Sequence, residues 1–181
     1  MNLSKNDEWY TPRHAVEIIV PYIPKGSVIW CPFDKENSQY VKVLRGGYSV
    51  LHSHIDNGQD FFNYEPSEPY DCIISNPPFS KRDDVLERLF KIGKPFGMFL
   101  NMNGMFDSKR RFAMLKEREI QLLVPNGRTK FTNETHNELE TKTPPFQCVY
   151  LCWKLLPKQI CYEKDDLGLF GEQDADVRKF I

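Results

Sequence analysis

The sequence predicts an α/β fold, in which a mostly parallel sheet carries helices on both of its faces. Short apolar runs with strand character alternate along the chain with segments whose apolar residues recur at helical spacing. The 181 residues, 40% of them hydrophobic, suffice for one domain with its own core. We therefore expect one domain over residues 1–160 and a C-terminal tail over residues 161–181.

The first half of the chain begins with a predicted helix. Thr11 is placed to cap this helix and Pro12 to occupy its first turn, and an apolar stripe follows. A second helix is predicted over residues 38–45, with Gly46 as its stop signal. Apolar runs predict strands over residues 27–31, 48–55 and 70–75.

The second half continues the alternation. A capping sequence at residues 80–83 precedes a predicted helix, and residues 108–117 predict another. Strands are predicted over residues 96–100, 120–124 and 148–155. Residues 127–145 are polar, and we expect them to form a long loop of the kind that carries function.

The composition argues against several classes of protein. The 24 Lys and Arg residues nearly balance the 25 Asp and Glu residues, which disfavours a purely charge-driven nucleic-acid binder. No run approaches the ~20 apolar residues of a membrane span, and the first residues lack the apolar core of a signal peptide. The five cysteines form no CxxC pair, so we expect buried thiols, a cytoplasmic protein and no zinc cluster.

The most specific motif is Asn76-Pro77-Pro78-Phe79, which directly follows an apolar run. The two prolines end the strand in a stiff turn, because they fix the backbone and donate no hydrogen bond. One interpretation is structural: the asparagine favours the turn and the phenylalanine packs beneath it. The other is chemical: the turn aims the Asn76 side-chain oxygen and the Pro77 carbonyl at one amino group, and Phe79 stacks on an extruded base.

The position of this turn also fits a binding site. Ligands of parallel α/β folds bind beyond the carboxyl ends of the strands. An exocyclic amino group is a weak nucleophile because its lone pair is delocalised into the base. Two acceptors bound to its hydrogens favour a pyramidal nitrogen and direct the lone pair toward an incoming methyl group.

An Asn-Pro-Pro-Phe string after a strand resembles the catalytic motif of the S-adenosylmethionine-dependent amino methyltransferases, including the adenine-N6 enzymes. The chain looks like a compact phage- or prophage-type member of that group. The resemblance implies a Rossmann-like class I methyltransferase sandwich with an antiparallel last strand, and S-adenosyl-L-methionine as cofactor. It also implies catalytic roles for Asn76, Pro77, Pro78 and Phe79.

The resemblance covers residues 8–155 and implies roles for further side chains. Residues 8–12 look like the segment that contacts the cofactor's methionine end, and residues 29–34 stand in place of the cofactor loop, without its usual glycines. Phe131 occupies the place of a second base-stacking aromatic. The cofactor-binding residues implied in this way are Tyr10, Thr11, Pro32, Phe33, Asp34, Asp56, Asp60 and Phe61.

Basic residues after the predicted strands are candidates for contacting phosphate groups. We place Lys109, Arg110 and Arg128 in the substrate-binding set together with Phe131, and Lys81-Arg82 and Lys130 extend the same rim. Short charged runs are also typical of solvated faces, so both interpretations stay open.

His52 and His54 alternate on a predicted strand and share one face with Asp56. A metal site uses such geometry, but the pattern offers no further clear ligand. We favour ordinary polar residues near a strand end and expect no metal.

The predicted function is methyl transfer to the N6 amino group of adenine, with DNA as the preferred acceptor and RNA as an alternative. A protein-glutamine methyltransferase presents the same planar amide nitrogen to such a turn. The missing glycines suit a third hypothesis, a non-catalytic nucleic-acid or protein-binding module on the same fold. The oligomeric state stays open.

Overall fold

The computed structural model describes residues 10–135, 138–142 and 145–163. The described chain forms a seven-stranded sheet in the order β2-β1-β3-β4-β8-β5-β9 and a separate hairpin of β6 and β7. The strands are β1 Val28–Cys31, β2 Ser49–His52, β3 Cys72–Ser75, β4 Phe96–Asn101, β5 Ile120–Val124, β6 Phe131–Thr135, β7 Glu138–Lys142, β8 Cys148–Trp153 and β9 Ile160–Tyr162. The helices are α1 Arg13–Glu17, α2 Gln39–Leu44, α3 Arg82–Ile92 and α4 Lys109–Lys116.

The sheet is parallel except at β8, which confirms the predicted α/β architecture. Strands β2, β1, β3 and β4 run parallel, and β8 lies antiparallel between β4 and β5. The last strand that the sequence predicts, now β8, is antiparallel as expected, and a further strand that was not predicted, β9, follows it and pairs parallel to β5 at the sheet edge. Strand β9 also spans the boundary expected between residues 160 and 161.

Helices cover both faces of the sheet because successive strand residues point in opposite directions. In β1, Ile29 and Cys31 join the cluster under α1 and α2, while Trp30 joins the cluster under α3 and α4. The helical residues of the first cluster include Ala15, Val16, Tyr40 and Leu44, and those of the second include Val85, Leu86, Leu89 and Leu115. Burial of these apolar faces is the main stabilising contribution, at about 25 cal/mol per Å².

Most predicted helix boundaries are confirmed. The Ser38 hydroxyl caps α2 by accepting a hydrogen bond from the Val41 amide at 3.2 Å, and Ser108 caps α4 in the same way. At α3 the predicted cap is wrong, because the N-cap is Lys81 and makes no side-chain cap bond. At α1 the prediction is also wrong: the N-cap is Pro12, with no side-chain cap bond. Thr11 lies one residue earlier, and its side chain is used in a long-range hydrogen bond instead.

The polar segment 127–145 was expected to be a loop, and this is wrong for part of it. Residues 131–135 and 138–142 form the antiparallel hairpin β6–β7, with Phe131 paired to Lys142 and Thr135 to Glu138. Antiparallel pairing satisfies the backbone hydrogen bonds of a polar segment without burying both faces, so hydropathy gave little sign of it.

The predicted burial of the cysteines is confirmed, since all five thiols are free and buried. Within the described residues no helix is long and apolar enough to cross a membrane.

Candidate active site at the carboxyl ends of the strands

The turn after β3 has the rigidity that its prolines predict. Asn76 is half-buried, Pro77 is buried, and Pro78 is exposed with an extended backbone at φ −61° and ψ 123°. Phe79 then opens one turn of 3-10 helix that leads directly into α3 at Arg82. The turn is thus held between a fully buried strand and the start of an eleven-residue helix.

The Asn76 side chain has one end satisfied and one end free of protein partners. Its Nδ2 donates a hydrogen bond to Thr11 Oγ1 at 2.9 Å. Its Oδ1 is buried and accepts no hydrogen bond from any residue that the structure describes. A buried acceptor left unpaired costs about 1–3 kcal/mol, and a donor from a ligand or an ordered water removes that cost.

Asp34, which follows β1, is a buried carboxylate linked to the same turn. Its backbone amide donates to the Ser53 carbonyl at 3.1 Å, which sets the residue between β1 and β2. Its carboxylate accepts hydrogen bonds from Ser75, the residue before Asn76, and from Ser38. Burial raises the pKa of Asp34 to about 6, although both serine hydrogen bonds act in the opposite direction.

The aromatic residue that meets Phe79 is Phe146. Their ring centroids lie 6.0 Å apart with the rings nearly perpendicular, at 84°, and both side chains are half-buried. Sequence reasoning missed Phe146, although it ends a second Pro-Pro-Phe string at residues 144–146. Phe131 belongs to the core cluster against which Phe79 and Phe146 pack, but it is only 3% exposed and its ring centroid lies 6.3 Å from that of Phe99, so its implied stacking role stays a prediction.

The aromatic residues implied for the cofactor form one packed group. Phe33 lies 4.8 Å from Phe61, which is only 2% exposed and also meets Trp30 at 5.6 Å between centroids. Asp60 is half-buried and accepts a hydrogen bond from the Phe62 amide at 3.1 Å. Phe33 is half-buried, whereas Phe61 is a core residue in contact with it. Pro32 is buried beside Phe33.

The carboxyl end of β2 carries a set of ion pairs. Lys35 binds Asp56 at 2.5 Å, and this contact holds the pKa of the Asp56 carboxyl below its usual value. Glu36 binds Arg45 and also His52 Nε2 at 2.8 Å. Glu36 therefore places a carboxylate beside His52, the last residue of β2.

His52 ends β2 and His54 lies beyond it, so the two histidines do not alternate on one strand as the sequence predicts. His54 Nδ1 accepts a hydrogen bond from the Asp56 amide at 3.1 Å. In residues 10–135, 138–142 and 145–163 no group of three or more His, Cys, Asp or Glu side chains is arranged to hold a metal ion.

Of the predicted substrate-binding basic residues, Arg110 is ion-paired within the protein, whereas the structure records no ion pair for Lys109 or Arg128 among the described residues. Arg110 binds two acids of α3, Asp84 at 2.8 Å and Glu87. Lys109 and Arg128 are exposed. Tyr10, which precedes Thr11, is 40% exposed, while residues 8 and 9 of the same predicted segment lie outside the described residues.

Two buried arginines hold the loop after β4 against the start of α3. Arg111 binds Asp83 at 2.6 Å and donates to the Met105 and Gly104 carbonyls at 2.6 and 2.7 Å. Arg82 donates to the Asn103 carbonyl at 3.1 Å. Because α3 begins directly after the turn, this loop and the turn are parts of one rigid edge.

Comparison with known proteins shows the fold. No family model and no curated protein matches this sequence. A modification subunit of a putative type I restriction enzyme from Vibrio vulnificus superposes with a TM-score of 0.52 at 11% identity, over 83% of this chain and 45% of that one. A type I restriction-modification methyltransferase subunit from Streptococcus thermophilus gives 0.48 at 11% identity, over 82% and 45%. A tRNA (m1A58) methyltransferase from Aquifex aeolicus gives 0.39 at 13% identity, over 85% and 72%.

The chain therefore spans under half the length of the two restriction-system subunits that it resembles. The strand order, the antiparallel β8 and the first of these likenesses make this a Rossmann-like class I methyltransferase fold. At 11% identity the likeness concerns the fold and not the activity.

Proposed function

We propose that this protein transfers a methyl group from S-adenosyl-L-methionine to the N6 amino group of adenine, with DNA as the preferred acceptor. In the reaction a nitrogen–carbon bond forms and the sulfur–carbon bond breaks. The products are the methylated amine, S-adenosylhomocysteine and a proton released to water. The chain's own part is to bind both reactants and to orient the amine.

The observation that carries this proposal is the unpaired Asn76 Oδ1, held at the end of β3 by a proline-stiffened turn. An amino group brings the donor hydrogens that this oxygen lacks. The Pro77 carbonyl, from the same turn, is the second acceptor in the proposed arrangement. Phe79, set against Phe146, provides an aromatic surface for the base. Orientation of this kind accelerates transfer without a strong general base.

The charge of the residues at this site suits S-adenosylmethionine as a cofactor. S-adenosylmethionine is cationic at its sulfonium and ammonium groups, and Asp34 offers a carboxylate that is buried beside the turn. When bound, the cofactor supplies an electrophilic methyl group. We assign Asp34, Phe33, Asp60 and Tyr10 to its binding, with Asp56, Pro32 and Phe61 shaping the surroundings.

The acceptor is proposed from chemistry alone. Exposed cations at Lys109 and Arg128 suit phosphate groups near the mouth of the site. RNA adenine and protein glutamine carry an amino nitrogen of the same kind, so the experiment includes all three acceptors.

The test uses the full chain and cofactor labelled in its methyl group, incubated separately with duplex DNA, RNA and a protein mixture. We expect label in DNA at N6 of adenine, and we expect Asn76→Ala to lower kcat by about 100-fold or more. Gln159→Ala removes an exposed amide at the opposite edge of the sheet and serves as the matched control. Label in RNA or protein alone would replace the acceptor, and full activity of Asn76→Ala would refute the role of the turn.

One feature favours a second candidate, a non-catalytic nucleic-acid or protein-binding module. The loop after β1 has no glycine between residues 31 and 37, and Asp34 and Phe61 within the cofactor group are buried. Calorimetric titration with S-adenosylmethionine separates the two candidates. Absence of both heat and thermal stabilisation at millimolar cofactor would favour the module.

A further inference from the structure

We infer that Thr11 is a positioning residue for Asn76: its hydroxyl accepts the amide hydrogen of Asn76 and so leaves the amide oxygen turned toward the acceptor amine. This inference rests on the proposed function. It differs from the role that the resemblance implies, in which Thr11 contacts the cofactor.

The two ends of an asparagine amide differ in hydrogen bonding, because the oxygen accepts and the nitrogen donates. Only the oxygen accepts a hydrogen bond from an amine, and a half-turn about the side chain would present Nδ2 in its place. Thr11 Oγ1 lies 2.9 Å from Asn76 Nδ2 and is the partner that holds this end of the amide. The other end, Oδ1, is buried and has no partner among the described residues.

The backbone next to Thr11 is itself held in place by contacts between α1 and β8. Thr11 is 7% exposed and lies directly before α1. The Tyr150 hydroxyl donates to the Ala15 carbonyl in α1 at 2.9 Å, and Tyr40 forms a second buried contact with that hydroxyl, also at 2.9 Å. The hydroxyl that orients Asn76 therefore lies two residues before a helix that Tyr150 anchors to β8.

Positioning of the acceptor and binding of the cofactor are separated by different measurements. A residue that only orients the acceptor alters kcat and leaves the Kd for S-adenosylmethionine unchanged. A residue that contacts the cofactor alters that Kd. Thr11→Val keeps the shape and removes the hydrogen-bond acceptor, while Thr11→Ser keeps the hydroxyl.

We expect Thr11→Val to lower kcat by about 5- to 100-fold, because the Asn76 amide loses its partner and its preferred orientation. The Kd for the cofactor should stay within about twofold by calorimetry, since the lost bond lies on the amide. Thr11→Ser should restore most of the lost rate. An unchanged kcat in Thr11→Val, or a Kd that rises in proportion to the loss of activity, would overturn the inference.

A second readout needs no turnover. In ¹⁵N-labelled full-length protein the Asn76 side-chain NH₂ signals are identified by their absence from Asn76→Ala. We expect slow solvent exchange of one of these hydrogens in the wild type and in Thr11→Ser, and fast exchange in Thr11→Val. If the signals behave so but no acceptor is methylated, the proposed function fails and the Thr11–Asn76 contact stands. If the signals are alike in all three proteins, the contact itself is refuted.

Discussion

Replacing Asp34 by asparagine should stabilise the protein at neutral pH and leave its stability at acid pH nearly unchanged. Asp34 is 7% exposed, and its carboxyl group accepts hydrogen bonds from Ser75 and Ser38. Asparagine keeps the size and one acceptor oxygen, and it removes the ionisation. The perturbation therefore isolates the cost of burying this charge beside the turn.

The magnitude follows from the difference between the pKa values of Asp34 in the folded and unfolded states. The pKa rises from 3.8 in the unfolded chain to about 6 in the folded protein. The unfolded state therefore loses its proton first as pH rises, and the folded state is destabilised relative to it between these two values. At about 1.4 kcal/mol per pKa unit, the free energy of unfolding falls by about 3 kcal/mol across this window.

The assay is urea unfolding of the wild type and Asp34→Asn between about pH 3 and about pH 7.5, which covers the window. Other titrating groups cancel in the difference between the two proteins. That difference should grow by about 3 kcal/mol in favour of Asp34→Asn as pH rises, and should level off above about pH 7.

Asp56→Asn is the matched control of opposite sign. Lys35 lowers the pKa of Asp56, so loss of that carboxylate should remove stability at neutral pH instead of adding it. A difference between wild type and Asp34→Asn that does not vary with pH would refute the reasoning, since it would mean that burial does not raise the pKa of Asp34. Loss of cofactor affinity in the same variant is expected, because the stabilising change removes the proposed anionic contact.

Three further predictions concern packing and the basic rim. Tyr150→Phe should lower the free energy of unfolding by about 1–3 kcal/mol, measured by urea denaturation, because it removes the buried hydroxyl that donates to the Ala15 carbonyl. Arg111→Ala should cost about 3 kcal/mol or more by the same measurement, since it leaves buried acceptors unpaired; a loss below about 1 kcal/mol would contradict this. For binding to DNA, Lys109→Ala should reduce the slope of log K against log salt by about 1, whereas Arg110→Ala should not, because Arg110 is already bound to acids of α3.

Much of the fold follows from local patterns in the sequence. Residues 120–124 form a strand with the predicted bounds, and Ser38 caps α2, because apolar periodicity and capping chemistry act over a few residues. The hairpin β6–β7 did not follow, since its strands are polar and pair only with each other. The expectation that Thr11 caps α1 is wrong because Pro12 holds the N-cap position, and the Thr11 hydroxyl accepts a hydrogen bond from the distant Asn76 instead.

The alternation of strands and helices, the burial of the cysteines and the proline turn at residues 76–79 can be predicted from the amino-acid sequence, because each depends on residue type and near neighbours. The groups that meet at that turn come from distant parts of the chain and are visible only in the folded protein. Asn76 finds Thr11, 65 residues away, and Ser75 finds Asp34, 41 residues away. Phe146 contacts Phe79 although the two residues are far apart in the sequence. Pairings across such separations depend on strand order and register, which no local pattern records.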